Sequence, residues 1–354
     1  MNEERKNSVS GQAVRSLPVA LWPAADRASW EEACRPSVRL KPGGAASHLK
    51  PVVQRDLAQR YGLFLDCLSR SGRLDEKTGA GAQVTPDNVN AYVAELKSRV
   101  SSVTVYGSIQ KLRRFVQLIT PDRDLGWLIA IERELFSEKR PRPKWGRVVY
   151  ADVLVEAGLT LMAEAEMSKR PKLTRARMFR NGLMIALLGY CPIRLKNFAS
   201  LEIERSFVNI DGTWWIVLTA AETKEKREDE RPVPKELTNS IERYLEIYRP
   251  ILARGNDGSN ALWMAMDGKP MSYASVGETI TETARMTIGV KVSPHLFRTA
   301  GVTTLATHAN GNPHAGSALL HHRRGPVTQE NYNRASCVSA GKSYAAITQA
   351  YRRK

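Results

Sequence analysis

The chain has 354 residues and carries 53 lysines and arginines against 36 aspartates and glutamates, which gives a net charge of +17. This charge favours a polyanionic partner, and nucleic acid rather than a membrane surface, because the basic residues are spread over several predicted helices and loops. No apolar run approaches the roughly 18 residues of a membrane span, and the N-terminal residues lack the apolar core of a signal peptide, so we expect a cytoplasmic protein.

The first part of the chain predicts an N-terminal arm followed by a small helical domain. Residues 1–46 are polar and punctuated by proline and glycine, so we expect a partly ordered arm. Residues 47–136 show the period of amphipathic helices and predict an all-α domain of four helices. The expected helix starts are Ser47, Thr85, Ser101 or Ser102, and Leu125.

Basic residues mark one face of this domain and the segment that follows it. Lys111, Arg113 and Arg114 are expected on or near the outer face of the third helix, where they would contact nucleic acid phosphates or solvent alone. Residues 137–147 contain two prolines and five basic residues and predict an extended linker. The segment is therefore either an ordinary interdomain connector, which has the same composition, or a linker that contacts DNA. The candidate DNA-binding residues of the linker are Arg140, Arg142 and Lys144.

Residues 148–354 predict a second, mixed α/β domain. Two helices come first, Val149–Glu166 and Leu173–Tyr190, and the second is so apolar that we expect it to be buried. Arg194 follows this helix among apolar residues. A charge in that setting is costly unless it is paired, for example with Glu202, or held for a ligand.

A small antiparallel sheet is predicted next. Phe207–Ile210 and Trp214–Leu218 flank an Asp-Gly turn and predict a hairpin, with a third strand around Arg231–Val233. Lys224 is expected at or near the tip between the second and third strands, where it would reach into a cleft or remain solvated. Two further helices are expected at Leu237–Leu252 and Ser272–Ile288.

The stretch Ser293–Tyr332 gathers five of the six histidines of the chain. A serine followed by proline predicts a helix start there, and His295 and Arg298 lie three residues apart, so they share a face of that helix. His322 follows, and Tyr332 comes ten residues later. The four cysteines are scattered and no HExxH spacing is present, so a zinc site is not expected. Histidines gathered around an arginine in a basic protein indicate phosphate chemistry.

The order of these residues resembles the catalytic set of the tyrosine recombinase, or phage integrase, family. The resemblance covers most of the chain, because a helical core-binding domain, a basic linker and a mixed α/β catalytic domain occur here in the family's order. Two positions depart from the pattern: Asn197 stands where the family has an acidic residue, and His321 replaces the glycine before the last histidine. The matching residues are Arg194, Lys224, His295, Arg298, His322 and Tyr332.

The resemblance implies an α+β, mainly helical fold and transesterification of double-stranded DNA without metal, cofactor or ATP. Tyr332 would attack the phosphorus and form a 3′-phosphotyrosine ester. Arg194 and Arg298 would bind the non-bridging oxygens and stabilise the charge of the transition state. His295 would accept or return the tyrosine proton.

Two of the implied roles have rival candidates. Lys224 would protonate the leaving 5′ oxygen, and Lys226 is its rival. His322 would donate a further hydrogen bond to the phosphate, and His321 competes for that role.

The resemblance also implies a tetramer on paired DNA sites, assembled through the C-terminal tail after Tyr332, in a protein of bacterial or phage origin. Docking of the tail on its own domain is the alternative. Two other functions remain open: a type IB topoisomerase-like enzyme that nicks and reseals one duplex, and a DNA-binding architectural or regulatory protein without catalysis.

Overall fold

The computed structural model describes residues 15–141, 149–224, 226–256, 258–308 and 319. The chain divides into two compact units, Met1–Pro143 and Lys144–Lys354. As expected, the described residues are mainly helical, with one small antiparallel sheet. None of their helices combines the length and the apolar composition that crossing a membrane requires. Outside the described residues lie Arg142, Lys144, His321, His322, Tyr332 and the C-terminal tail.

Five helices make up the described part of the first unit. Thr85 and Ser101 cap helices as expected, because each side chain accepts a hydrogen bond from the backbone N–H three residues on. The expected start at Ser47 is wrong. The helix begins at Pro51, because the proline ring keeps the preceding Lys50 out of the helical conformation. The helices are α1 (Ala24–Cys34), α2 (Pro51–Arg70), α3 (Pro86–Arg99), α4 (Ser102–Ile119) and α5 (Gly126–Ser137).

Part of the segment before residue 47 packs into this helical unit, through Trp22, Asp26 and Trp30. The ring centroid of Trp22 lies 5.1 Å from that of Tyr61, and Trp30 lies 4.7 Å from Phe115. Asp26 on α1 accepts hydrogen bonds from the Tyr61 hydroxyl, at 2.8 Å, and from a backbone N–H. The segment expected as an arm therefore contributes Trp22, Trp30, Ala33 and Ala46 to the core, whereas residues 35–42 are exposed.

The second unit is built on the packing of α6 (Ala151–Met167) against α7 (Lys172–Tyr190). Gly158 on α6 and Gly182 on α7 let the two backbones approach closely, since a methyl group added at Gly158 would lie 2.6 Å from the Gly182 carbonyl oxygen. The C-terminal half of α7 is buried, as expected. The turn that follows α7 therefore leaves from the centre of the core.

The sheet joins β1 (Phe207–Ile210), β2 (Thr213–Leu218) and β3 (Asp229–Pro232) in that order. Asp211 and Gly212 both have positive φ, 50° and 76°, which is the backbone of a type I′ hairpin turn. The predicted hairpin is confirmed. The third strand begins two residues earlier than expected, which brings Asp229 into the sheet.

The helix expected at Leu237–Leu252 is interrupted. A 3₁₀ turn (Lys235–Leu237) and α9 (Thr238–Arg243) lead into a π-helical turn at Tyr244–Tyr248 and then into α10 (Arg249–Ala253). Pro250 has no N–H to donate to the preceding turn, and this favours the wider π turn. The remaining helices are α8 (Leu195–Ala199), α11 (Tyr273–Ile288) and α12 (Pro294–His308).

Candidate active site

Arg194 lies at the end of a short turn between α7 and α8. The turn is tight, because the N–H of Ile193 donates to the Cys191 carbonyl at 2.7 Å. Arg194 then caps α8 from an extended conformation, and its carbonyl accepts hydrogen bonds from the N–H groups of Asn197 and Phe198. This geometry places a half-buried guanidinium at the point where the buried helix α7 ends.

Arg298 is held against the same turn. It lies in the second turn of α12 and is only 7% exposed. Its Nη1 donates a hydrogen bond to the carbonyl oxygen of Pro192 at 2.7 Å. Two arginines 104 positions apart in the sequence are thus tied to one four-residue turn, Cys191–Arg194. His295 lies one helical turn before Arg298 and is exposed.

The charges of this region act on Arg298. The pKa of its guanidinium is lowered to about 10, mainly by burial and to a smaller extent by the positive charges of Arg194 and Arg231. The carboxylate of Asp229 acts in the opposite direction. The structure therefore brings together three of the arginines of the second unit around a partly compensated positive charge, a setting that suits an anion such as a phosphate diester.

Arg231 was expected only as a residue of the third strand, and neither it nor Asp229 was predicted to lie at this site. On β3 the two side chains point inward, whereas those of Glu230 and Pro232 point outward. They face Ile216 and Leu218 of β2, which are buried. The alternation of buried residues along β2 was the available signal, because a residue paired with a buried neighbour on the same sheet face is itself buried.

Lys224 lies in the loop between β2 and β3, as expected, and its side chain is exposed. Its rival Lys226 is also exposed and has a φ of 53°, an uncommon value for a lysine. The hydroxyl of Thr223 closes this loop, since it accepts a hydrogen bond from the N–H of Arg227 at 3.0 Å and donates to its carbonyl at 2.7 Å. Both lysines are thus presented to solvent by a loop with a defined base.

Glu202, which the sequence offered as a partner for Arg194, forms an ion pair with Arg205. Asn197, the position without the acidic residue of the family pattern, is buried. A carboxylate from a different element, that of Asp229, acts on Arg298.

The basic residues of the first unit that were expected to bind DNA differ in burial and in ion pairing. Lys111 pairs with Asp56 of α2 at 2.7 Å. Arg113, expected on or near the outer face, is half-buried and pairs with the buried Glu132 of α5 at 2.5 Å. Arg114 and Arg140 are exposed. The backbone N–H of Arg140 donates to the Ser102 hydroxyl at 2.9 Å, which holds the start of the linker against α4.

Comparison with known proteins identifies the fold. No family model matches the sequence, and no curated protein matches it. One similar solved structure is the XerH site-specific recombinase bound to its difH substrate, with 13% identity, 83% of each chain covered and a TM-score of 0.52. Another is a lambda integrase fragment, a dimer bound to a COC′ core site, with 12% identity, 81% of this chain and 90% of that chain covered, and a TM-score of 0.50. The chain has the tyrosine recombinase fold.

Proposed function

We propose that this protein is a site-specific DNA recombinase that cleaves and rejoins DNA strands through a 3′-phosphotyrosine intermediate. The observation that supports this most directly is the attachment of Arg194 and Arg298 to one turn, with the Arg298 guanidinium bonded to the Pro192 carbonyl at 2.7 Å. The similar recombinase structures are bound to DNA, and their fold is the fold of this chain.

The two guanidiniums make the scissile phosphate more reactive toward a nucleophile. Arg194 and Arg298 each bind a non-bridging oxygen of the scissile phosphate and stabilise the negative charge that builds up in the pentacoordinate transition state. Arginine suits this role because its planar fork matches two phosphate oxygens and its charge does not depend on a neighbouring proton donor.

The remaining residues move protons and form the covalent bond. The hydroxyl oxygen of Tyr332 attacks the phosphorus, and its proton passes to His295. The bond from phosphorus to the 5′ oxygen breaks, and Lys224 gives that oxygen a proton, which leaves a free 5′-hydroxyl. His322 donates a hydrogen bond to the phosphate. The phosphotyrosine ester conserves the bond, so the reverse attack by a 5′-hydroxyl rejoins a strand without ATP.

The first unit and the linker supply affinity for the DNA backbone. Exposed Arg114 and Arg140, together with Arg142 and Lys144 of the linker, contact phosphates. Lys111 and Arg113 contact phosphates only when their ion pairs with Asp56 and Glu132 break. We propose that four protomers assemble on paired DNA sites through the C-terminal tail, in a bacterial or phage setting.

Covalent trapping tests the reaction and its nucleophile together. The full-length protein is incubated with duplex fragments of its own locus that carry random nicks, because a nick close to the cleavage position lets the 5′-hydroxyl fragment dissociate and traps the protein on DNA. Tyr344, another tyrosine of the C-terminal tail, provides the control. A denaturing gel should show an adduct with the unaltered protein and with Tyr344→Phe, and none with Tyr332→Phe. An adduct that persists in Tyr332→Phe refutes the assigned nucleophile.

Two further outcomes separate the other functions. Salt-sensitive DNA binding without any adduct supports a non-catalytic DNA-binding protein. If the protein forms the adduct and relaxes supercoiled DNA but never joins strands from two sites, the result supports a topoisomerase-like enzyme. Strand exchange between two sites supports recombination.

A further inference from the structure

Asp229 and Arg231 form a buried ion pair on the inward face of β3. Arg231 Nε lies 2.7 Å from Asp229 Oδ1 and Arg231 Nη2 lies 2.9 Å from Asp229 Oδ2. Asp229 is 6% exposed and Arg231 is 8% exposed. Because both carboxylate oxygens accept from one guanidinium fork, the pair is a well-defined unit rather than two mobile side chains.

This pair lies beside the turn that holds the two phosphate-binding arginines. The thiol of Cys191 is 3.9 Å from the Pro232 carbonyl, so β3 contacts the first residue of the turn. Burial raises the pKa of that thiol to about 12, and the charges of Arg231 and Asp229 act on it in opposite directions. Since Arg298 bonds to Pro192, β3 and α12 are both attached to the same four residues.

Three guanidiniums and one carboxylate therefore share a poorly solvated region. Like charges repel more strongly there than in water, and the positive charges of Arg194 and Arg231 both oppose that of Arg298. A negative charge is required to keep such a cluster together before DNA arrives. Asp229 supplies one, and the fork of Arg231 anchors it.

We propose that Asp229, anchored by Arg231, is a positioning residue that holds Arg298 and Arg194 in the geometry that receives the scissile phosphate. This inference deepens the proposed DNA cleavage and rests on it, except for the measurement of anion binding described below. The Arg231 fork has the second task of keeping the carboxylate in place, so that it does not compete with phosphate for the other two guanidiniums.

The substitution Asp229→Asn removes the charge and keeps the shape. Glu230→Gln is the matched control, because Glu230 is the next residue of β3 and points outward. We expect cleavage to fall at least about tenfold in Asp229→Asn, as a misplaced catalytic group does, and to remain unchanged in Glu230→Gln. Arg231→Met combined with Asp229→Asn removes the whole pair without leaving a buried unpaired charge, so it should fold well and still cleave poorly.

A neutral substrate distinguishes positioning from a folding defect. A methylphosphonate at the scissile position has no negative charge for Arg298 and Arg194 to bind. The deficit of Asp229→Asn relative to the unaltered protein should therefore shrink to within about threefold on this substrate. A folding defect would lower cleavage of both substrates by the same factor, and that result would overturn the proposal.

Anion binding tests the inference without any cleavage. Tungstate, an oxyanion similar to phosphate in shape and charge, is titrated calorimetrically into the full-length protein. If Asp229 positions the arginines, Asp229→Asn should bind tungstate about fivefold or more weakly despite the positive charge that it adds, and the double variant, whose net charge is unchanged, should also bind about fivefold or more weakly. If Asp229 only contributes negative potential, its removal should tighten binding.

Tighter or unchanged tungstate binding in these variants overturns the proposal. The proposed DNA cleavage and the positioning role of Asp229 can be refuted independently. A protein that forms no DNA adduct refutes the proposed function, and the tungstate titration still decides whether Asp229 positions Arg298.

Discussion

Replacing Arg298 by methionine should stabilise the second unit while abolishing DNA cleavage. Folding lowers the pKa of this guanidinium from its ordinary value to about 10, mainly through burial. At about 1.4 kcal/mol for each tenfold change in a protonation constant, keeping the group charged in the folded protein costs about 3 kcal/mol. Methionine retains an unbranched apolar chain of similar length and removes that cost.

The substitution also removes a hydrogen bond. The Pro192 carbonyl loses its donor, and an unsatisfied buried acceptor costs about 1–3 kcal/mol. We therefore expect the free energy of unfolding to rise by about 1 kcal/mol. The penalty belongs to the charged form, so it is fully present below about pH 10 and is lost as the pH rises from there toward the ordinary pKa of arginine. The gain in Arg298→Met should accordingly be equal at pH 6 and pH 8.

Hydrogen exchange of α7 amides in the full-length protein measures this change, because α7 lies in the core of the second unit and the exchange of its slowest amides reports global opening. Arg205→Met is the control, since Arg205 is a partly exposed arginine whose ion pairs contribute about 0.5 kcal/mol. It should leave protection unchanged or slightly lower. A loss of more than about 1 kcal/mol in Arg298→Met would refute the estimated cost of burial.

Two further predictions concern packing and proton transfer. Gly158→Ala should destabilise the second unit by about 1–3 kcal/mol, although alanine favours helices, because its methyl group would collide with the Gly182 carbonyl. Gly107→Ala on α4, where the added methyl meets open space, should instead stabilise the first unit by about 0.5–1 kcal/mol, and urea unfolding checks both. Lys224→Ala should slow cleavage about 100-fold or more, and a substrate with sulfur at the leaving 5′ position, which needs no proton, should restore the rate. If Lys226→Ala shows this rescue and Lys224→Ala does not, the two lysines exchange roles.

Features set by a few neighbouring residues could be predicted from the sequence. Thr85 and Ser101 are caps followed by amphipathic helices, and the Asp-Gly pair at 211–212 permits a turn that few other residues allow. Ser47 failed as a cap because a proline four residues later sets a stronger local boundary. Neighbouring residues determine these helix starts and this turn, and where two signals compete, as Ser47 and Pro51 do, the backbone restriction imposed by proline sets the boundary.

The missed part of the site depends on pairing between distant segments. Asp229 and Arg231 belong to a run of charged residues, and such a run is usually solvated. Only the register with β2, which pairs them with Leu218 and Ile216, buries them. Likewise, the bond from Arg298 to Pro192 joins residues 106 positions apart. One sequence does not reveal such a juxtaposition unless it resembles a known arrangement.

Arg298 donates its hydrogen bond to a neutral acceptor, and this suits a guanidinium that is proposed to bind a phosphate. A neutral carbonyl, that of Pro192, orients the guanidinium without cancelling its charge. The carboxylate of Asp229 offsets part of the repulsion, yet the pKa of Arg298 stays below its ordinary value. A stronger carboxylate partner would relieve that strain and would also compete with phosphate. The folded protein instead keeps positive charge whose electrostatic cost an anion would relieve. In the proposed reaction, part of the stabilisation of the transition state is therefore built in before DNA binds.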